Sequence, residues 1–371
     1  MKKKLTFLGI ESSCDETAAS VVQENGDGTA KVLSNIVSSQ IQEHKKFGGV
    51  VPELAARAHV DKIDFIIQEA LDKSKTKIED IDGIAATAGP GLIVCLTIGY
   101  NIGKSLAAFS GKPFLPINHL EGHALSPSIE NKISFPYLLL LISGGHSQYL
   151  IIKEINDYEQ IGTTIDDAVG EAFDKTAKIL DLGYPGGPKV EKFAKLGNKN
   201  SYSLPKPIIN RGGCNLSLAG LKTAVLRKSK EINLDKERYN LAASFQYTIN
   251  KILVEKTKVA MKMFREKMSD QQPSKAFVVA GGVAANEIIR KDLISLSKKM
   301  NFKPIFPSKE FCGDNAAMIA WAGIKRFKKK FLRTGTMKQL RSRKQFTKKS
   351  VILREQKLKA AYSQKLLQED E

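Results

Sequence analysis

Apolar and polar positions alternate in blocks along this chain, and the blocks recur. Leu5 to Ile10 is a short apolar run, followed by the polar stretch Glu11 to Glu16 and a second apolar run, Ala18 to Val22. That order predicts a β-hairpin with a polar tip. Tyr137 to Ile142, the turn Ser143-Gly144-Gly145-His146-Ser147 and the run Tyr149 to Lys153 repeat the design. A second pair supports a duplication. Gly83 to Ala88 is a small apolar strand that enters Gly89-Pro90-Gly91 and then a helix, and Ala276 to Ala280 enters Gly281-Gly282 and a helix containing Asn286. Each half therefore reads as a hairpin-led sheet followed by a strand, a glycine loop and a helix.

Two such α/β halves facing each other would gather hairpin tips and glycine loops around one cleft. Glycine loops at strand ends leave backbone N–H groups free for phosphate oxygens, and a following helix N-terminus adds a favourable dipole. A nucleotide in that cleft is the expectation. Helical patterns cover Pro52 to Ser74 and Ala168 to Leu182, while Gly183-Tyr184-Pro185-Gly186-Gly187-Pro188 reads as a tight loop. The apolar helix Ile63 to Leu71 reads as core rather than interface. Gly99-Tyr100-Asn101-Ile102-Gly103-Lys104-Ser105 resembles a P-loop but has three residues between its glycines instead of four, so it reads as part of a packed helix, Leu92 to Phe109.

Composition sharpens this picture in three ways. With 371 residues and 42% hydrophobic content, most of the chain can bury a core, which excludes general disorder and favours two domains. The formal charge of +19 is uneven: 16 Lys+Arg and 4 Asp+Glu fall between Lys325 and Glu371, leaving 42 against 35 in the rest. The glycine loops and strands also stop there. The expected organisation is thus two lobes, residues 1–134 and 135–327, and a basic helical extension, 328–371, suited either to a polyanion or to plain solvation. Third, the apolar run after Met1-Lys2-Lys3-Lys4 is too short for a signal peptide, and no stretch approaches the roughly 18 apolar residues of a membrane span. Cys14, Cys95, Cys214 and Cys312 are far apart and form no Cys-x-x-Cys, which fits reduced thiols in a cytoplasmic protein without structural disulfides.

Candidate chemistry centres on His119-Leu120-Glu121-Gly122-His123, two of the five histidines four residues apart. On a helix both imidazoles share one face and suit one divalent metal. Zinc peptidases use the same spacing, but their glutamate directly follows the first histidine. Here Glu121 lies two residues on, about 200° around the helix, and points away. Asp314, at the mouth of the apolar helix after Phe311-Cys312-Gly313, is the candidate third ligand, with an N-cap as its bland alternative.

Taken together, Gly9-Ile10-Glu11-Ser12-Ser13-Cys14-Asp15-Glu16-Thr17, His119 to His123, Ser143-Gly144-Gly145-His146, Asp166 to Lys178 and Cys312 to Met318 resemble the TsaD family of bacterial tRNA threonylcarbamoyltransferases. The resemblance runs from about residue 5 to 327 and leaves out the basic tail. It implies a duplicated actin-like fold of the sugar kinase and heat-shock ATPase superfamily. The implied reaction moves a threonylcarbamoyl group from threonylcarbamoyl-AMP to the exocyclic amine of the adenosine next to the anticodon, releasing AMP. Carried over residue by residue, the metal site falls on His119, His123 and Asp314, with Fe(2+) the usual ion and Zn(2+) the alternative. The nucleotide site falls on Leu141, Ile142, Ser143, Gly144, Gly145, Asp174, Gly187, Glu191 and Asn286, and the candidate bases are Asp15 and Glu16. The resemblance also implies tRNA, a TsaB-like paralogue and a TsaE-like ATPase as partners. Three other readings compete: a metallopeptidase, a small-molecule kinase of the same fold, and a non-enzymatic RNA-binding protein.

Overall fold

The computed structural model describes residues 4–269 and 273–329. The first half runs β1 (Thr6–Glu11), β2 (Glu16–Glu24), β3 (Ala30–Ser39), α1 (Ile41–Lys45), α2 (Pro52–Ser74), β4 (Gly83–Gly89), α3 (Ile93–Phe109), β5 (Phe114–Asn118) and α4 (His119–Leu125). The second half runs β6 (Tyr137–Ile142), β7 (Ser147–Glu154), β8 (Asp157–Thr163), α5 (Val169–Ile179), α6 (Gly186–Ala194), α7 (Ala219–Glu231), α8 (Leu234–Lys267), β9 (Ala276–Ala280), α9 (Glu287–Lys299), β10 (Lys303–Ile305) and α10 (Ala316–Lys328).

The two sheets are built on one plan. Their orders are β3-β2-β1-β4-β5 and β10-β9-β6-β7-β8, so in each the first strand of the half is central. β1 pairs antiparallel with β2 and parallel with β4, and β6 pairs antiparallel with β7 and parallel with β9. A strand covered on both faces should read as a continuous apolar run rather than an alternating one. Tyr137–Ile142 is such a run, and all six residues are buried.

Alternate residues of these strands feed different cores, because successive side chains point to opposite faces. In the first sheet Leu8, Ile10, Ala19 and Val21 pack against Ile63, Ile66, Ile67 and Ala70 of α2, which makes that helix core as expected. Phe7, Val22, Ala85 and Leu115 pack on the other face against α10, the last described helix. In the second sheet Leu138, Leu140 and Ile142 face α5 to α9, while Leu139, Leu141 and Leu150 face Leu120 and Ala124 of α4. Each half thus lends one helix to the sheet of the other. Met318, Ile319, Trp321 and Ile324 are buried to within 1%, and side chains of this size contribute roughly 2 kcal/mol each on burial.

Two predicted details change. Gly183 to Pro188 is not wholly a loop, since α6 begins at Gly186 with Pro188 in its first turn. First-turn N–H groups have no intrahelical partner, so proline costs little there. Asn286 lies outside the helix as its N-cap, accepting from the backbone N–H groups of Ile288 and Ile289 at 3.1 and 3.0 Å. Most of the basic extension, from residue 330, lies outside the described residues. Among the described residues no helix is long and apolar enough to cross a membrane, and all four cysteines are free.

Candidate metal centre and cleft

α4 begins where β5 ends, because Asn118 caps it: its Oδ1 accepts from the N–H groups of Leu120 and Glu121 at 2.9 and 3.3 Å. His119 and His123 then fall on one face of a fully buried helix, rings 4.7 Å apart and nearly perpendicular. α10 is capped by Asn315, whose Oδ1 accepts from Met318 N–H at 3.0 Å. The cap being taken, Asp314 is free for another task. Its Oδ1 lies 3.0 Å from His123 Nε2 and 3.4 Å from His119 Nε2. Donor atoms of His119, His123 and Asp314 all lie within 4.8 Å of one another, an arrangement that could hold a metal ion.

Other features of this structure fit a cation. His119 Nδ1 lies 3.1 Å from Glu11 Oε2 and 3.2 Å from Ser13 Oγ. A carboxylate on the far nitrogen is the usual outer partner of a metal-binding imidazole, since it fixes the tautomer that leaves Nε2 to the ion. Glu11 is itself held, accepting from Ser13 N–H at 2.6 Å and from the Thr87 hydroxyl at 2.5 Å. Burial works against charge on His119, but Asp314 and Glu11 overcome it and raise its pKa well above the ordinary value. Burial would likewise raise the Asp314 carboxyl, yet the two imidazoles hold it well below the usual range. With protons as the only cations, the site already stabilises positive charge.

Glu11 was missed as a separate site residue. A carboxylate at the end of a wholly buried strand is a signal that could have marked it, because such a charge needs a partner.

The first hairpin tip reaches the same place. Glu16 is pushed well above the carboxylate range by burial and then by the charges of Asp314 and Asp15. Asp15 is buried, with 8% of its surface exposed. The tip therefore sets the Glu16 carboxyl within the field of Asp314.

The second tip belongs to a separate cluster. Leu141 and Ile142 are buried in β6, so what they offer a ligand is backbone. The turn closes through Ser143 N–H to His146 O at 2.8 Å, and Gly170 N–H donates to Ser143 O at 3.2 Å. Nothing lies within 4 Å of where a Cβ would stand on Gly144, Gly145 or Gly187. Asp174 Oδ1 accepts from Gly186 N–H at 2.8 Å, and Glu191 Oε1 accepts from Glu287 N–H at 2.8 Å. Asn286 donates to Gln246 Oε1 at 3.0 Å. Burial, then the charges of Asp15, Asp174 and Glu16, push the Tyr184 hydroxyl pKa up. A cavity of about 460 Å³ on α7, lined by Ser203, Thr223 and Arg227 among others, includes none of these residues.

A family model described as tRNA N6-adenosine threonylcarbamoyltransferase, TsaD, matches residues 31–321. The chain belongs to the TsaD family. The tRNA N6-adenosine threonylcarbamoyltransferase of Pelagibacter ubique (strain HTCC1062) is 59% identical over 330 residues, covering 89% of this chain and 92% of that one. The enzyme of the same name from Rickettsia rickettsii (strain Sheila Smith) is 50% identical over 329 residues, covering 88% and 94%. Among solved structures, T. kodakarensis HypF matches with a TM-score of 0.59 at 14% identity, over 92% of this chain and 50% of HypF. Full-length HypF in its phosphate- and nucleotide-bound form gives 0.56 at 12% identity, over 90% and 48%. Those likenesses carry the fold, the duplicated actin-like architecture, and no more.

As a TsaD member the chain is a transferase, and the peptidase reading fails on geometry as well. Glu121 is fully buried, with Oε2 2.5 Å from Arg326 Nη2 and Oε1 accepting from the Tyr158 hydroxyl at 2.6 Å. It cannot serve as a base at the histidines.

Proposed function

We propose that this chain transfers the threonylcarbamoyl group of threonylcarbamoyl-AMP to the N6 amine of the adenosine 3′ of the anticodon, in tRNAs that read codons beginning with adenine. The observation that carries this reading is membership of the TsaD family over residues 31–321, with the histidine–aspartate cluster inside that span.

His119, His123 and Asp314 would hold a divalent ion, Fe(2+) in preference to Zn(2+). When bound, such an ion polarises a carbonyl and fixes its orientation. The chain's own residues do the rest. Glu11 and Ser13 hold His119 in one tautomer. The backbone of Leu141 to Gly145 and Gly187, with Asp174, Glu191 and Asn286, holds the AMP portion of the donor. The adenosine N6 attacks the carbamoyl carbon, the bond from that carbon to the phosphate oxygen breaks, and AMP leaves as a stable phosphate. The proton lost from N6 passes to Asp15 or Glu16.

The two lobes, 1–134 and 135–327, act in the cytoplasm with a TsaB-like paralogue and a TsaE-like ATPase. Residues 328–371 add phosphate contacts to tRNA that carry no sequence information. Removing residues 330 to 371 should weaken tRNA binding and flatten its salt dependence; an unchanged salt slope refutes that role.

The deciding experiment incubates the full chain with threonylcarbamoyl-AMP and tRNA carrying adenosine after the anticodon, with the partner proteins in parallel. Nucleoside mass spectrometry should find threonylcarbamoyladenosine for the wild type and none for His119→Ala/His123→Ala. No product under any of these conditions would overturn the assignment.

A further inference from the structure

The proposed ligands come from places far apart in the chain: His123 and Asp314 are 191 residues apart. What sets their distance is the seating of α4 on α10. A Cβ on Gly122 would stand 2.9 Å from Ile319 Cδ1 and 3.2 Å from Met318 Cγ, so glycine here lets these two side chains of α10 pack directly on α4. Apolar contact of that kind is non-directional and tolerates sliding.

A directional contact with the same helix lies on the face of α4 turned away from the histidines. Glu121 there is fully buried, ion-paired to Arg326 in the last turn of α10, and hydrogen-bonded to Tyr158 of β8. Arg326 spreads its guanidinium further, Nη2 donating to Asn156 Oδ1 at 3.0 Å and Nη1 to Pro116 O at 3.4 Å. It thereby binds α4, β5 and the β7–β8 turn to one point. Asp314, just before α10, and Arg326, near its end, both engage α4. The helix is held at both ends by the same seven-residue partner.

A buried ion pair is a poor source of stability, since well-packed apolar residues of equal volume often do as well or better. Its energy depends steeply on geometry, and that makes it suited to fixing a register.

We infer that Glu121, acting with Arg326 and Tyr158, is a positioning residue that fixes the separation of His119 and His123 from Asp314. The glutamate of the histidine motif, displaced from the place of a peptidase base, is here the strut of the metal centre. Because Tyr158 belongs to the second sheet, the strut also ties the metal ligands to the far lobe.

This inference rests on the reading of the three residues as metal ligands, and the test separates the two. Metal is stripped from the full-length protein, Co²⁺ is titrated back, and its visible d–d absorption and its dissociation constant are measured by chelator competition. If wild type binds no Co²⁺, or His119→Ala/His123→Ala binds it equally well, the ligand reading fails. If wild type binds and the double variant does not, Glu121→Gln decides. It keeps the volume and the Tyr158 contact but loses the charge facing Arg326. The expected result is unchanged far-ultraviolet circular dichroism, an altered d–d band, and a dissociation constant raised about 10-fold to 100-fold. Tyr158→Phe, which leaves the ion pair intact, should raise it about 3-fold to 10-fold. A general loss of stability would not move the affinity of molecules that remain folded. A wild-type spectrum and an affinity within about twofold of wild type in folded Glu121→Gln overturn the inference. If that variant does not fold, the same result in Tyr158→Phe overturns it.

Discussion

The two hairpin tips occupy equivalent places on equivalent sheets, yet one is walled in and the other is open. In the first, Ser13 O accepts from Leu92 N–H at 2.8 Å, Cys14 O lies 3.0 Å from His59 Nε2, and Asp15 O accepts from Gln40 N–H at 3.0 Å. Ser12 Oγ donates to Cys95 O at 3.0 Å and accepts from Gly99 N–H at 3.2 Å. Three other segments hold the tip, and Glu11 at its base lies 3.1 Å from His119 Nδ1. In the second, Gly144 and Gly145 face open space. The same scaffold occurs twice, and under the proposed function the loops divide the labour: the walled-in tip would present reacting groups, and the open one would leave room for a ligand.

The comparison breaks most completely if the first tip can work alone. Replacing His119 and His123 by alanine should cut transfer by at least about 10³-fold, because metal polarisation is worth several kcal/mol. Steady-state turnover checks this. Next in size is Asp15→Ala, which should lower kcat about 10²-fold with KM for tRNA little changed, as expected for loss of a proton acceptor. Unchanged turnover at saturating tRNA would remove Asp15 from the chemistry. Gly144→Val sharpens the contrast. Having nothing to clash with, it should leave the melting temperature in place and raise KM for the donor about 10-fold, since it fills the space of a phosphate.

The smallest effect concerns pH. Burial lowers the His59 pKa below 6.5, so as pH falls the unfolded chain takes up this proton before the folded one does. The contribution is therefore full above about 6.5 and is lost as pH falls through the window between the two values. Urea unfolding at about pH 7.5 and about pH 5.5 should show a larger loss for wild type than for His59→Gln. Equal losses would show that His59 does not titrate in this way.

The central strands were legible and the edges were not. β1, β2, β4, β6, β7 and β9 are interior to their sheets, so each reads as an apolar run. The four strands without a prediction, β3, β5, β8 and β10, are the four edges. An edge strand has one neighbour and more solvent, as in Asp157–Thr163, where one residue of seven is buried. Such a segment resembles a loop. In the site, the spacing of His119 and His123 was plain because one helix carries both, and Asp314 stood out at the mouth of an apolar helix, where an N-cap was its alternative. Glu11 stayed hidden because an acid closing a strand looks like the start of a turn. Gly186 to Pro188 misled because glycine and proline are read as breakers, although a first helical turn admits both.

The seating of α10 on the first sheet bears on how the protein is made. Phe7, Val22 and Leu115 leave the ribosome early, but the helix that covers them, Ala317 to Ile324, is translated ~200 residues after Asn118. At roughly 5–20 residues per second, the nascent first lobe carries a bare apolar face for on the order of ten to forty seconds. Chaperone capture during translation should concentrate in that interval. Asp314 emerges just ahead of the covering helix, so the proposed ligand set and the lid of the first sheet are completed together, late in synthesis.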